Sequence, residues 1–332
     1  MADLKRTALV LGATGGIGGE LARRLSAQGW QVRALHRNPE ALPVRNKGFD
    51  WRRGDAMSAC DVAMAADGMA LIVHAVNPPG YRDWDRLVLP MIDNTIAAAR
   101  RSGARIVLPG TVYNFGPDAF PLPTEASAQR PVTRKGRIRV ELEARLRAAA
   151  EEGVRSLVVR AGDFFGPNSG SNWFSGAMLK PGKPVRTITY PGAEGIGHQW
   201  AYIPDVAETI VRLIEREDAL DKFAVFHMKG HWDDDGTRML GAIRHVIGRP
   251  AKVRPFPWWA LPLLSKFSVL LSELREMRYL WQTPIHMDNA RLIRILGAEP
   301  HTAWNEAVDA TLRSMGCIPD RVAKDATDEA AP

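Results

Sequence analysis

The chain has 332 residues, with 44 lysines and arginines against 37 acidic residues, which gives a formal net charge of +7 at pH 7. This length is enough for one large α/β domain with a smaller companion. The basic surplus is modest and scattered, which argues against a nucleic-acid track, and no stretch approaches the ~18 consecutive apolar residues of a membrane span.

The two cysteines, Cys60 and Cys317, are too few for a disulfide framework or a metal cluster. The N-terminal residues run from a charged lead directly into a strand pattern, without the apolar core of a signal peptide. We therefore predict a cytoplasmic protein that holds no metal and binds neither nucleic acid nor membrane.

The first half of the chain alternates short apolar runs with helical patterns. Strands are predicted at 7–11, 31–36, 49–53, 71–75, 105–108 and 154–160, and helices at 17–28, 85–102 and 134–152. Strands that are apolar on both faces and alternate with helices are typical of a parallel sheet covered on both sides. The predicted fold class is α/β, a doubly wound parallel (Rossmann) sheet.

The alternation stops after Gly166, where a segment rich in Gly, Pro and Ser begins. A helix at 204–216 and a strand at 223–227 follow, and from Pro250 onward the pattern is helical and aromatic. The second domain is therefore predicted to be a smaller, mostly helical, substrate-binding one. The predicted division assigns 1–167 and 200–230 to the nucleotide-binding domain, 168–199 and 231–318 to the substrate-binding cap, and 319–332 to a disordered tail.

The most specific motif is "LVLGATGGIGGELARRL", in which a strand leads into spaced glycines and a helix follows at once. The glycines permit a tight turn and allow a diphosphate to approach backbone amides at the positive end of the helix. The predicted diphosphate site consists of Gly12, Thr14, Gly15, Gly16, Ile17 and Gly18.

Further motifs follow successive strands: "GD" at 54–55, "VHAVNPP" at 73–79, "VLPGTVYNFGP" at 107–117, "VVRAGDFFGP" at 158–167 and "WAYIPDVAETI" at 200–210. Together with the glycine turn, their order resembles the extended branch of the short-chain dehydrogenase/reductase superfamily, over about residues 5 to 230. That branch includes sugar-nucleotide epimerases, dehydratases and dihydroflavonol-type reductases. The resemblance implies further cofactor contacts at Asp55, Ala75, Val76, Ala161 and Phe164, and it makes a homodimer one expectation.

The end of the second strand indicates which dinucleotide binds. An NAD site places an acid there, whereas this chain has "VRALHRNPEAL", with Arg37 after the strand and no carboxylate before Glu40. A guanidinium can pair bidentately with a 2′-phosphate. The predicted cofactor is NADP(H); the alternative is that Arg37 is an ordinary surface residue.

The resemblance also implies a Tyr-x-x-x-Lys pair at the start of the helix after the fifth strand. Aligning that helix places Thr133 at the tyrosine position and Arg137 at the lysine position, and Pro109 falls on the family's serine. A guanidinium cannot exchange a proton, so Arg137 is expected to bind the cofactor ribose. Thr133 is expected either to contact the substrate or to cap the helix, and capping is the favoured interpretation.

Another group must then supply the proton. Tyr113, just after the fifth strand, is the first candidate, and Tyr202, His198 and Asp163 are weaker ones. The alternative is that Tyr113 only packs against the pocket wall. The basic first turn of this helix, with Arg134 and Lys135, is tolerable if the cofactor or an anionic substrate lies against it, and otherwise these two side chains point to solvent.

Aromatic residues in the second half either line a pocket above the nicotinamide or form the core of the cap or a dimer face. They are Trp173, Phe174, Trp258, Trp259, Tyr279 and Trp281. We predict an NADP(H)-dependent oxidoreductase that reduces a carbonyl group of a bulky, fairly apolar small molecule with a nonstandard proton donor. The alternatives are a catalytically silent NADP(H)-binding sensor and a sugar-nucleotide epimerase or dehydratase.

Overall fold

The computed structural model describes residues 6–43, 48–78, 83–170, 172–264 and 269–319. Its strands are β1 (Thr7–Leu11), β2 (Gln31–His36), β3 (Asp50–Arg53), β4 (Leu71–His74), β5 (Arg105–Thr111), β6 (Ser156–Ala161), β7 (Asp163–Phe165), β8 (Thr187–Tyr190), β9 (His198–Tyr202), β10 (Phe223–His227), β11 (His231–Asp233) and β12 (Lys252–Pro255). Its α-helices are α1 (Gly16–Ala27), α2 (Ala59–Ala66), α3 (Trp84–Ser102), α4 (Arg134–Glu151), α5 (Ile203–Ile214), α6 (Thr237–Ile247), α7 (Leu261–Leu264), α8 (Val269–Glu276), α9 (Ala290–Leu296) and α10 (Trp304–Ser314).

Seven strands form one parallel sheet in the order β10-β6-β5-β4-β1-β2-β3. The order reverses between β1 and β4, because the chain leaves β3 at one edge and returns beside β1. Ligands of such sheets bind in the crevice at this reversal, outside the carboxyl ends of the strands. The predicted α/β class with a doubly wound parallel sheet is confirmed.

Both faces of the sheet are buried, as the apolar strand sequences require. Along β1, Ala8 and Val10 face the cluster that contains α1 and α5, while Leu9 and Leu11 face the cluster that contains α2, α3 and α4. Successive side chains of a strand point to opposite faces, so a strand covered on both sides is apolar throughout. Among the described residues, no helix is long and apolar enough to cross a bilayer.

Segments of the second half of the chain, apart from β10 and α5, form a second aromatic core, and we call this part of the structure the cap. A three-stranded sheet, β11-β9-β7, and a two-stranded sheet, β12-β8, pack with α6 and α10 around Trp200, Trp281 and Phe165. The predicted C-terminal helices are present, and short strands accompany them. Of the predicted tail at 319–332, all but the first residue lies outside the described residues.

A buried ion pair connects the sheet to α4. The Arg160 guanidinium on β6 donates from Nε to Glu143 Oε1 over 3.1 Å, and the two side chains are 1% and 5% exposed. Asn114 also donates to Glu143, and His227 Nε2 lies 2.9 Å from Arg160 Nη1. Burial, with Arg160 adding to it, lowers the pKa of His227 to about 3, so this ring is neutral in the folded protein at neutral pH.

Glu143→Ala is expected to lower the free energy of unfolding by about 3–5 kcal/mol, because it leaves the Arg160 charge buried without its carboxylate. Glu141→Ala is the control, since Glu141 pairs with Arg145 on the exposed face of the same helix, and its loss should cost under about 1 kcal/mol. Urea unfolding measures both values. Equal losses in the two variants would contradict this account of the ion pair.

Candidate functional site

Apart from Arg137 on α4, the predicted cofactor residues lie along one edge of the main sheet. Each follows the carboxyl end of a parallel strand: the glycine turn follows β1, Arg37 follows β2, Asp55 follows β3, Ala75 and Val76 follow β4, and Ala161 and Phe164 end or follow β6. The register places Leu11 beside His74 and beside Leu35, so these strand ends are level. Tyr113 follows β5 at the same edge.

The glycine turn after β1 is in backbone contact with the segment after β4. Gly12 has φ +90°, and a Cβ there would lie 2.5 Å from the Ala75 carbonyl oxygen. A Cβ on Gly18 would lie 2.3 Å from the Gly12 carbonyl oxygen. These two positions therefore require glycine, because any side chain would separate α1 from the ends of β1 and β4.

The first turn of α1 presents backbone amides at the sheet reversal. The helix starts at Gly16, its N-cap is Gly15, and its opening sequence GIGG contains no acid. Thr14 and Gly15 are exposed, and Gly16 and Ile17 are half-buried. The first amides of a helix lack intrahelical partners and carry partial positive charge, so the turn fits a diphosphate.

The cations beyond β2 differ in what they contact. Arg33 bonds Asp50 over 3.2 Å, and Arg53 bonds Glu40 over 2.8 Å. Arg37 is exposed and makes no hydrogen bond or ion pair with any described residue. Asp55, a predicted cofactor contact, is half-buried and accepts a hydrogen bond from the Met57 amide.

The residues at the start of α4 differ in burial and in their hydrogen bonds. Thr133 is the N-cap, and its Oγ1 accepts a hydrogen bond from the Gly136 amide over 3.0 Å. Arg137, at the aligned lysine position, is exposed, whereas Lys135 and Arg139 are buried. The two buried cations are four residues apart, as are the residues at the aligned tyrosine and lysine positions, Thr133 and Arg137. Each cation lies two residues later in the sequence than its aligned counterpart.

Arg139 reaches the edge where the cofactor residues meet. Its Nη2 donates to Asn77 Oδ1 over 3.3 Å, and Asn77 directly follows Ala75 and Val76. The sequence alignment gave no reason to prefer Arg139. Which face of α4 points inward is known only once the packing of α4 on α3 is known, and Arg139 lies two residues after the aligned position.

Tyr113 contacts a buried carboxylate and, through it, a buried histidine. Its hydroxyl donates to Asp163 Oδ1 over 3.4 Å, and Asp163 Oδ2 lies 3.0 Å from His198 Nε2. The His198 ring stacks on Trp281 with 3.6 Å between centroids. Burial, and secondly the charge of Asp163, raises the pKa of Tyr279, so this second phenol stays neutral.

The remaining candidates differ widely in burial. Tyr202 is buried, and burial followed by the charge of Asp205 raises its pKa to about 12. Of the predicted pocket aromatics, Trp173, Phe174 and Trp281 belong to the cap core, Trp258 and Tyr279 are half-buried, and Trp259 is 85% exposed. Tyr279 stacks on Phe120, and both rings pack, as Tyr113 does, against the same aromatic cluster.

A separate group of side chains contains potential metal ligands. One ligand atom from each of Asp205, His231 and His301 lies within 4.8 Å of the others. The two imidazole rings stack with 4.2 Å between centroids, and ring lone pairs lie in the ring planes, so they do not converge on one ion. Both Asp205 oxygens accept hydrogen bonds from Thr302. We assign no metal to this group.

Residues 12–145 match a family described as NAD(P)H-binding. Three similar solved structures are MoeE5 in complex with UDP-glucose and NAD, a putative epimerase from Burkholderia cenocepacia, and a UDP-glucose 4-epimerase from Thermus thermophilus in complex with NAD. Their sequence identities are 18%, 18% and 21%, and their TM-scores are 0.72, 0.73 and 0.69. In a comparison with curated protein sequences, none matched the chain significantly.

The structural matches extend over nearly the whole chain. They cover 93%, 94% and 93% of this chain and 98%, 99% and 98% of the three structures, in the same order. At these identities the likeness shows the fold. The family match supports the resemblance to nicotinamide-dinucleotide-binding proteins over residues 12–145, and the structural matches show that the whole chain shares their fold.

Gly18→Ala is expected to weaken NADPH binding by about tenfold or more, because relieving the 2.3 Å contact costs about 1–3 kcal/mol of strain in the turn that is predicted to bind the diphosphate. Fluorescence titration measures the affinity. The control is Gly241→Ala in α6, where a Cβ meets no heavy atom within 4 Å. Unchanged NADPH affinity in a folded Gly18→Ala protein would contradict the assignment.

Proposed function

We propose that the protein is an NADP(H)-dependent oxidoreductase that reduces a carbonyl group of a bulky, fairly apolar small molecule. The observation that carries this proposal is the convergence of the glycine turn, Arg37 and Tyr113 along one edge of the parallel sheet. A dinucleotide placed with its diphosphate on the α1 amides has one end toward β2 and the other toward β4 and β5. A phenol at that second end is suited to proton transfer.

The preference for NADP(H) rests on Arg37. Two of the similar solved structures contain NAD, so the preference for NADP(H) depends on this chain's own residues. In the described residues Arg37 is exposed and unengaged, while the nearest acid after it, Glu40, is paired with Arg53. A planar guanidinium in this position fits a 2′-phosphate, and Glu40 is held elsewhere and does not oppose it.

Tyr113 is the proposed proton donor. When bound, the reduced nicotinamide supplies a hydride to the carbonyl carbon. The electron pair of the C=O π bond moves to oxygen, and that oxygen takes the phenolic proton of Tyr113, which leaves an alcohol and a phenolate. The Tyr113 hydroxyl donates to Asp163 over 3.4 Å, and it would turn about its C–O bond to donate its single proton to the substrate oxygen instead. Thr133 and Arg137 have no chemical role in this proposal, because one caps α4 and the other faces solvent.

Two other functions each have one observation in their favour. The structural neighbours include epimerases, one of them a UDP-glucose 4-epimerase, which favours a sugar-nucleotide substrate and reversible hydride transfer. The family's serine position is occupied by Pro109, within β5, and its tyrosine position by Thr133, the cap of α4. The absence of these two catalytic groups favours a silent NADP(H) sensor. The aromatic surface of Phe120 and Tyr279, which packs against the same cluster as Tyr113, favours the reductase.

Two further expectations accompany the proposal. The low cysteine content is consistent with a cytoplasmic protein, and the resemblance to a family in which dimers are common makes a homodimer the oligomeric state to test first.

Arg37→Ala is expected to weaken NADPH binding by about tenfold or more while leaving NADH binding unchanged, because only NADPH carries the phosphate that the guanidinium pairs with. The control is Arg101→Ala, an exposed arginine in the last turn of α3. Fluorescence titration with both cofactors makes the measurement. Parallel losses for NADPH and NADH, or no loss, would remove Arg37 from the site.

Tyr113→Phe is expected to lower kcat for NADPH-dependent reduction by ~10² to 10⁴ at unchanged NADPH affinity, since it removes the proton donor and keeps the ring. Tyr202→Phe, in the core, is the control and should retain activity. The assay is NADPH oxidation over aldehydes, ketones and enones, with UDP-sugars included. Tight NADPH binding without turnover of any class would favour the sensor, and turnover of UDP-sugars alone would favour the epimerase.

A further inference from the structure

Two neighbouring strands of the main sheet are followed by a phenol and a carboxylate that contact each other. The last residues of β5 and β6, Thr111 and Ala161, are paired in the sheet, and Tyr113 and Asp163 each come two residues later. The Tyr113 hydroxyl donates to Asp163 Oδ1 over 3.4 Å. Tyr113 is half-buried and Asp163 is 7% exposed, so a ligand can reach the phenol more readily than the carboxylate.

Asp163 is held from its other side by the cap. A Cβ at Gly162 would lie 2.2 Å from the Gln199 carbonyl oxygen, so the chain needs glycine there to turn from β6 onto β9. His198 Nε2 lies 3.0 Å from Asp163 Oδ2, and the His198 ring stacks on Trp281 with 8° between the ring planes. His198 Nδ1 is buried and makes no hydrogen bond with any described residue. The two oxygens of Asp163 thus have different partners, a phenol and an imidazole.

The two phenols near Asp163 differ in the group that accepts their hydrogen bond. Burial, and secondly the charge of Asp163, raises the pKa of Tyr279, and its hydroxyl donates to the backbone carbonyl of Phe115 over 3.3 Å. A backbone carbonyl accepts a hydrogen bond without taking up the proton, whereas an ionised carboxylate can become a carboxylic acid. Of these two phenols, Tyr113 is therefore the one whose hydrogen bond leads to a base.

The direction of the Tyr113 hydrogen bond suits the removal of a proton from an alcohol. A phenolic oxygen has one proton to donate and two lone pairs that accept. Donation to Asp163 uses neither lone pair, so the same oxygen can accept a hydrogen bond from a substrate hydroxyl. A carbonyl substrate has no such proton, and donation to it by turning the hydroxyl away would leave a phenolate close to the Asp163 carboxylate, where like charges repel.

We infer that Asp163 is the proton acceptor for a second activity of this site, the NADP⁺-dependent oxidation of an apolar alcohol, and that Tyr113 passes the proton to it. The substrate hydroxyl gives its proton to the Tyr113 oxygen while Tyr113 gives its own proton to Asp163 Oδ1. The O–H electron pair forms the C=O π bond, and hydride leaves the alcohol carbon for the bound nicotinamide, which is reduced. After the product leaves, the proton returns to water through the same two groups.

The inference rests on the proposed function, because it is the same hydride transfer in the opposite direction. Any catalytic path is reversible, so carbonyl reduction can use these groups as well: Asp163, once protonated, returns its proton to Tyr113 while Tyr113 donates to the carbonyl oxygen. The loss of Asp163 must then lower kcat/KM in both directions by the same factor, since no variant changes the overall equilibrium.

The test measures kcat and KM in both directions with matched carbonyl compounds and alcohols. The pairs are acetophenone with 1-phenylethanol, benzaldehyde with benzyl alcohol, and the aldehyde or ketone that is reduced fastest in the NADPH screen with its own alcohol. The variants are Asp163→Asn, which keeps the size of the side chain but cannot take up the proton, Asp163→Glu, which restores a carboxylate, and the exposed control Asp234→Asn. Thermal melting and NADP⁺ affinity confirm that each variant is folded and loaded.

Asp163→Asn is expected to lower kcat by ~10² to 10⁴ in both directions with little change in KM, because it removes the proton acceptor and leaves the pocket in place. Asp163→Glu should regain part of this loss, and Asp234→Asn should match the wild type. The wild type is also assayed in mixtures of H₂O and D₂O. Its rate should follow a curve as the D₂O fraction rises, because two protons move together.

Wild-type kcat in Asp163→Asn, a straight-line dependence of the wild-type rate on the D₂O fraction, or carbonyl reduction without any oxidation of the matching alcohol would overturn the inference. Each of these outcomes would leave Tyr113 as a proton donor that acts without Asp163, so the proposed reductase would stand. A wild type that binds NADPH but turns over no compound in either direction would contradict the proposed function itself, and the inference with it.

Discussion

The close contact between the glycine turn and the segment after β4 is the constraint on which the rest of the site depends. Gly12 and Gly18 leave no room for a Cβ against the Ala75 and Gly12 carbonyls. Because the turn is this tight, α1 begins directly at the end of β1 and directs its first amides into the sheet reversal. The same contact brings the end of β4 alongside, and with it Asn77 and Arg139.

Several buried charged side chains lie on α4, β6, β7 and β9. Arg160 and Glu143 connect β6 with α4, Asp163 and His198 connect β7 with β9, and Lys135 and Arg139 lie on the inner face of α4. Buried charges are costly unless they are paired. The Arg160 pair joins β6 to α4, and Arg139 and Lys135 lie one and two turns before Glu143 on that helix.

Local patterns in the sequence predicted the main sheet well, and non-local features less well. Apolar runs predicted β1 and β2 with their exact ends, while the eight-residue helix α2 was missed because the alanine-rich 59–66 segment has no clear polar face. β5 was predicted to stop before Pro109, but it continues to Thr111. Its pairing with β4 ends at Val107, so Pro109 needs no hydrogen-bond partner on the β4 side. The glycine turn was recognisable because its chemistry is local. The inner cations of α4 and the Tyr113–Asp163–His198 contacts depend on which helical face packs and on residues far apart in sequence.

A crystal structure of the protein with NADP⁺ bound would test the central claim most directly. The account predicts the diphosphate against the amides of Gly16 and Ile17, the 2′-phosphate beside Arg37, and the nicotinamide ring between Ala75 and Tyr113. Saturated crystals with the dinucleotide elsewhere on the protein, or with its adenosine end directed toward β4, would contradict it.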